Sequence, residues 1–259
     1  MMRTVDLGQG VWAITDRSRL PGVGHLTINA FVLDGPEPLL IDTQIASARE
    51  PFLEVLRGVI DPADLRWVAI THTDADHIGN LAAVLDRAPR ARLLTNYTGF
   101  IKLSTHCPVH PSRLQLVRPG ERVRTGERTL TAFRPPLYDA PETMAFFDHT
   151  SAVLFAADCF GAIEPEADGE QSPLSADAWR AAMALWVAID TPWAHSVDRD
   201  RFAEAVGAIT RLQPVSIRAG HLPLGVHDVP TLTRGLLASL DGPEFRGPSH
   251  AEFLRLLER

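Results

Sequence analysis

Thr71-His72-Thr73-Asp74-Ala75-Asp76-His77-Ile78-Gly79 is the stretch whose reading decides the fold. It follows the apolar run Trp67-Val68-Ala69-Ile70, which reads as a buried strand. Within it His72, Asp74, Asp76 and His77 all carry side chains able to bind a metal. Residues two apart in an extended segment point the same way, and the side chains beyond them turn off as the backbone bends. His72 and Asp74 could therefore serve one metal, and Asp76 and His77 a second. The alternative is an ordinary helix start, with Asp76 as N-cap of a helix from Ile78 and the rest a polar loop. Capping accounts for one carboxylate, but not for two histidines and a second carboxylate.

The chain has 259 residues, 45% hydrophobic and 22% charged, which is enough apolar material for a substantial core. A formal net charge of −7 argues against a nucleic-acid-binding or anionic-membrane surface, because no basic run offsets it. Two cysteines, Cys107 and Cys159, are too few for a disulfide framework and lack zinc-type spacing. Neither the N-terminus nor any later run has signal-peptide or membrane-spanning character, so the expectation is a cytoplasmic protein with reduced thiols.

Upstream of the quoted stretch, Val11–Ile14, Leu26–Leu33 and Leu39–Ile41 read as strands separated by Pro21-Gly22 and Asp34-Gly35-Pro36. Helical spacing runs from Ala46 to Ile60 and stops at Pro62. A helix to about Arg87 and a strand from Ala91 to Leu94 follow the loop, an alternation that signals layered α/β structure. Leu114–Val117, Glu121–Val123 and Thr129–Phe133 read as strands of a second sheet, and Met144–Phe147 with Ala152–Ala157 as a hairpin ending at Asp158. Helices are expected over Leu174–Ile189, Arg199–Leu212, Thr231–Leu240 and Ser249–Leu257, with a last strand at Val215–Ile217. His106 and His110 flank Cys107 in a Pro-containing loop and read as exposed loop residues.

A strand followed by Thr-His-x-x-x-Asp-His-x-Gly resembles the first metal motif of the metallo-β-lactamase superfamily, usually His-x-His-x-Asp-His. Here Asp74 stands at the second histidine. A carboxylate there resembles one branch, the oxygen-binding di-iron domain of flavodiiron proteins, whose motif is His-x-Glu-x-Asp-His. Further segments occur in the family's order. Ile41-Asp42-Thr43 is similar to the strand end whose aspartate supports the metal loop. Tyr138-Asp139-Ala140-Pro141-Glu142-Thr143-Met144 is similar to the segment carrying a histidine two residues before Pro-Asp/Glu-Ser/Thr-Met, with Asp139 in that histidine's place. Ala157-Asp158-Cys159-Phe160-Gly161 resembles the segment whose aspartate bridges both metals, and Gly220-His221 the final metal motif.

The resemblance implies one domain over residues 1–259, without a flavodoxin domain. Its fold would be an α/β (α+β) αββα sandwich of two facing mixed β-sheets with helices outside. It implies two metal ions, one held by His72, Asp74, Asp139 and bridging Asp158, the other by Asp76, His77, Asp158 and His221. Three histidines and four carboxylates form a harder donor set than the histidine-rich zinc hydrolases have, so iron or manganese fits better than zinc. Asp74 and Asp139 are shorter than the family's ligands, which makes their half the looser one. His25, His149 and His195 are candidate substitute ligands or pocket residues, and Thr191–His195 a break near the site mouth. The implied activity is dioxygen or nitric oxide chemistry, or oxygen binding, on a small-molecule substrate. This chain carries no flavin loop and ends where the family's flavodoxin domain begins, so a separate flavoprotein or other donor would supply electrons; a homo-oligomer is compatible. The competing reading is a metal-dependent hydrolase of an ester, lactone, thioester or phosphoester, which the same two metals would serve by activating a bridging water.

Overall fold

The computed structural model describes residues 1–166, 175–225 and 228–257. Strands β1 (Arg3–Asp6), β2 (Val11–Leu20), β3 (Gly24–Leu33) and β4 (Leu39–Ile41) form an antiparallel meander. β5 (Trp67–Ala69), β6 (Arg92–Thr95) and β7 (Leu114–Leu116) then add in parallel. The second sheet contains β8 (Arg122–Thr125), β9 (Arg128–Phe133), β10 (Ala145–Asp148), β11 (Val153–Phe155) and, later in the chain, β13 (Ser216–Arg218). β12 (Ile163–Glu164) returns to pair with β3 in the first sheet.

Alternation along the strands builds the layers. On the first sheet Ile14, Ala30, Val32, Leu40, Val68 and Leu93 face helices α1 (Arg49–Val59) and α3 (Leu81–Arg87), which contribute Phe52, Leu53, Leu56, Val84 and Leu85. Their neighbours Val11, Phe31, Leu33, Leu39, Ile41 and Leu94 face the second sheet and meet Leu130, Phe146 and Phe155. The second sheet's other face, with Phe147, Leu154 and Ile217, packs on α5 (Ala176–Asp190), α6 (Arg199–Arg211) and α7 (Val229–Ala238) through Trp179, Met183, Phe202 and Leu232. Helix, sheet, sheet and helix are therefore stacked as the resemblance implied. The short α2 (Ala75–Ile78), α4 (Tyr97–Leu103) and the C-terminal α8 (His250–Leu257) complete the described α-helices, and short 3-10 turns lie between the elements. No described helix is long and apolar enough to cross a membrane.

Among the described strands and longer α-helices, β1, α4 and β12 were not anticipated. One strand belongs elsewhere than expected, since Leu114–Leu116 pairs in parallel with β6 in the first sheet. Parallel neighbours need a crossover connection, and α4 supplies it. The helix expected from Leu174 begins at Ala176; Leu174 itself lies outside the described residues.

Strand direction positions the site. β4, β5 and β6 run parallel, and β11 runs parallel to β13, so the chain leaving β4, β5, β11 and β13 converges at one end of the sandwich. That is the end at which open α/β sheets bind ligands.

Candidate metal centre

Past β5 the chain turns sharply. Asp74 holds the N-cap position of α2 in extended geometry but makes no side-chain capping bond, and neither does Asp76 cap a helix at Ile78. Neither carboxylate is spent on capping, and Asp76 instead lies 3.2 Å from His221 Nε2. His72, Asp74 and Asp139 each bring a ligand atom within 4.8 Å of the others, as do Asp76, His77 and His221. Between these two triads His72, His77 and Asp158 meet the same limit. One Asp158 oxygen lies 3.1 Å from His77 Nε2, the other 3.6 Å from His72 Nε2 and 3.3 Å from His221 Nε2. Thus His72, Asp74, Asp76, His77, Asp139, Asp158 and His221, the candidate ligands of the sequence, lie together in one cluster of overlapping groups.

The imidazoles are aimed by partners on their far side. His77 Nδ1 donates to Asp42 Oδ2 at 2.9 Å, and His221 Nδ1 donates to the Thr27 carbonyl at 2.7 Å. Neither acceptor can itself donate, so in the neutral rings these bonds leave the Nε2 lone pairs pointing inward. His72 Nδ1 meets the Thr71 hydroxyl at 3.1 Å. Asp42 also accepts from Thr71 N at 2.8 Å and Thr71 Oγ1 at 2.7 Å, so it has the supporting contacts that its position after β4 suggested.

The loops are braced and strained. Asn29 donates to the carbonyls of Ala219 and Leu222 at 2.9 and 2.8 Å, clamping both sides of His221. Asp42 (φ 60°), Gln44 (φ 59°), Ala157 (φ 53°) and Phe160 (φ 76°) adopt left-handed backbone beside the cluster, strain of the kind held at functional sites. At Gly220 a Cβ would lie 2.6 Å from Asp158 Oδ1 and 2.7 Å from His77 Cε1, so only glycine lets the strand pass this close.

Sequence reading missed three contributors. Glu142, buried in the segment after Asp139, accepts from Thr73 Oγ1 at 2.5 Å and Lys102 Nζ at 2.7 Å, tying the metal loop to α4 through the chain's only lysine. Trp186 on α5 donates to the Asp158 carbonyl at 3.0 Å and packs 4.5 Å from the His221 ring. Asp190, one turn later, lies close enough for Asp158, Asp139 and Asp74 to act on its charge. The Thr73–Glu142 contact had a signal in the motif segments; Trp186 and Asp190 had none, because only tertiary packing brings α5 over the site.

Of the other histidines, His106 and His110 are exposed as expected, His149 Nε2 bonds the Thr131 hydroxyl at 2.7 Å, and His195 Nδ1 faces the Leu240 carbonyl at 3.3 Å. Neither these nor His25 joins a metal-ready group among the described residues. The Thr191–His195 break does adjoin the cluster: Trp193 packs on Tyr138 at 5.5 Å, beside Asp139, with Arg134 4.7 Å over the Tyr138 ring.

Charge and burial explain the ionisation of the group. Burial alone would raise the Asp158 carboxyl, but His221, His77 and His72 hold it well below the usual range. Burial lowers and then Asp158 and Asp42 raise His77, with a net rise well above the ordinary imidazole value. His221 is pushed up to about 10 by Asp158 and Asp76 against the opposing effect of burial. Asp76, though burial opposes it, falls to about 2 through its bond to His221. Asp74 rises through burial, with Asp139 adding to it and His72 opposing. In metal-free protein, protons on the imidazoles thus do the charge balancing that a cation would do.

The donor set fits metal. Among buried side-chain atoms, His72 Nε2, His77 Nε2 and Asp158 Oδ1 have no hydrogen-bond partner, a costly condition for polar atoms unless a ligand meets them. Openness is unequal: the histidines and Asp158 are buried, Asp76 and Asp139 half-buried, and Asp74 exposed.

An αββα sandwich with this His/Asp cluster at the strand ends defines a metallo-β-lactamase-like protein. The chain belongs to the ODP family of beta-lactamase proteins, whose model matches residues 26–198. Among curated relatives, a nitric oxide reductase from Moorella thermoacetica is 28% identical over 135 residues, covering 52% of this chain and 34% of that protein. The rubredoxin-oxygen oxidoreductase of Megalodesulfovibrio gigas is 27% identical, again over 52% of this chain and 34% of the relative. A solved mutant of the flavo di-iron protein from Thermotoga maritima superposes with a TM-score of 0.76 at 17% identity, over 92% of this chain and 62% of that one. The chain therefore matches about a third of the length of these curated relatives.

Proposed function

We propose that this chain is the di-iron part of an oxidoreductase acting on dioxygen or nitric oxide, supplied with electrons by a separate flavoprotein or another donor. The observation that carries this reading is the pair of triads joined at Asp158, with inward imidazole nitrogens left unpartnered. His72, Asp74 and Asp139 would hold one iron and Asp76, His77 and His221 the other, with Asp158 shared. Four carboxylate charges balance two divalent cations, and the oxygen-rich set favours iron or manganese over zinc. When bound, the iron pair supplies a place for the diatomic substrate and two electrons stored close to it.

The protein's own residues do the rest. Asp42 and the Thr27 carbonyl keep His77 and His221 in the ligating tautomer, while buried walls around Asp158 limit water. The exposed Asp74 marks the side from which a small substrate and electrons would arrive. Reducing dioxygen to two waters takes four electrons and four protons, and coupling two nitric oxides to nitrous oxide and water takes two of each. The side chains of the cluster supply none of these electrons, so turnover would depend on an external donor. The names of the two curated relatives support both substrates and a redox partner.

The test is oxygen and nitric oxide uptake by iron-reconstituted protein with and without a reduced flavoprotein. Donor-dependent uptake that disappears in His72→Ala supports the reading. Metal-dependent hydrolysis of esters, lactones or phosphoesters without a donor would replace it with a hydrolase.

A further inference from the structure

Away from the metal centre, at the end of the sandwich where β5 and β6 begin, the open edges of the two sheets meet: β7 ends the first sheet and β8 the second. Between them lies a cavity of about 410 Å³, a size that takes a small molecule, whose lining includes Glu37, Trp67, Arg92, Gln115, Arg122 and Arg124. Three guanidinium groups and one carboxylate thus share one cavity, a positive surplus in a chain whose formal net charge is −7.

Arg92 is held in place. Its guanidinium lies 4.9 Å over the Trp67 ring and donates to Gln115 Oε1 at 2.8 Å. Glu37 accepts from Trp67 Nε1 at 2.8 Å and, among the described residues, forms no ion pair with any of the three arginines. Arg122 and Arg124 stand two apart on β8, so their side chains leave the strand on the same face. Both are exposed, and neither side chain has a hydrogen-bond or ion-pair partner among the described residues.

A fixed guanidinium beside two unpaired ones suits phosphate oxygens, because each fork presents paired N–H donors to two acceptors at once. Charged side chains on an edge strand also deter pairing with another chain. That role needs neither a cavity nor an Arg92 seated on Trp67. The chain's negative charge and the limited volume favour a compact anion over nucleic acid or a membrane.

We propose that this cavity binds a diphosphate group, carried by free pyrophosphate or by a nucleoside diphosphate, with Arg92, Arg122 and Arg124 as its partners. A single phosphate would leave part of the arginine charge unmatched, whereas two linked phosphates supply charge and acceptor oxygens for all three. Trp67 is buried beneath Arg92, so it fixes that arginine and does not stack on a base. The inference is independent of the metal chemistry proposed above.

The experiment is calorimetric titration of the full chain with pyrophosphate, ADP, orthophosphate and sulfate, in wild type, Arg92→Ser and the Arg122→Ser/Arg124→Ser double variant. All three arginines are exposed, so the variants should keep the wild-type circular dichroism and melting temperature. Wild type should bind one pyrophosphate or ADP per chain at least about tenfold more tightly than orthophosphate or sulfate, and both variants should weaken that binding by about 10–100-fold. ADP at least as tight as pyrophosphate assigns the cavity to a nucleotide, and ADP weaker than pyrophosphate assigns it to the free ion. Wild-type affinity retained in either variant, as binding at the metal centre would give, overturns the proposal. Equal affinity for all four anions, meaning an adventitious ion only, overturns it too, and so does the absence of binding by either diphosphate.

Discussion

At the residue scale, the two halves of the centre differ in reach. Asp74 is exposed and Asp139 half-buried, the latter accepting only a 3.3 Å bond from Thr143 Oγ1, whereas His77 and His221 are buried and braced. Stepwise metal titration should show a tight and a weak site, and Asp139→His should strengthen the weak one by roughly tenfold; unchanged affinity would show that Asp139 is not a ligand. The raised imidazoles give a second expectation. His221, ordinarily 6.5 and about 10 here, stabilises metal-free protein fully below pH 6.5 and progressively less as pH rises through 10. Asp190, raised from 3.8 to about 8, acts in the same direction over its own window. Metal-free protein should thus lose roughly 5–10 °C of melting temperature between pH 6.5 and 10, a loss that metal loading suppresses because the ligating nitrogens no longer carry protons. A flat profile for the metal-free form would contradict this. Ligand-capable residues are legible in sequence where they sit in compact motifs, as His72 to His77 do. Trp186 and Asp190 were not legible, since nothing local distinguishes them from an ordinary helical face.

At the element scale, the ends of the sandwich opposite the site are joined by one buried ion pair. Arg128 on β9 donates to Asp148 at 2.6 Å and also to the carbonyls of Gln9 and Asp34, binding the turns of the first sheet to the second. Removing one partner strands a buried charge, so Arg128→Met should cost about 3–5 kcal/mol in chemical denaturation while leaving metal content unchanged. A cost below about 1 kcal/mol would mean that water replaces the arginine. The strands read from the sequence share a visible apolar alternation; the missed elements lack it. β1 buries none of its residues fully and β12 has only two residues, both paired to β3. α4 carries Thr98, Gly99 and Ile101, poor helix formers, and is started by Asn96, whose side chain accepts from Gly99 N at 2.8 Å. Without that crossover helix in view, a parallel position for β7 could not be read, which is why Leu114–Leu116 was expected in the wrong sheet.

At the scale of the whole molecule, strand direction turns four separate motifs into one centre. The layers were legible because apolar residues alternate with period two and then with helical period; their assembly followed from the order of the motif segments. The central claim is that the seven residues, joined through Asp158, hold two irons together. Mössbauer spectroscopy of protein reconstituted anaerobically with iron-57 and then oxidised tests it most directly, read beside the iron content per chain. The account predicts two irons per chain, antiferromagnetically coupled in the oxidised form, with coupling lost in Asp158→Ala. One iron per chain, two uncoupled irons, or coupling that survives Asp158→Ala would contradict it.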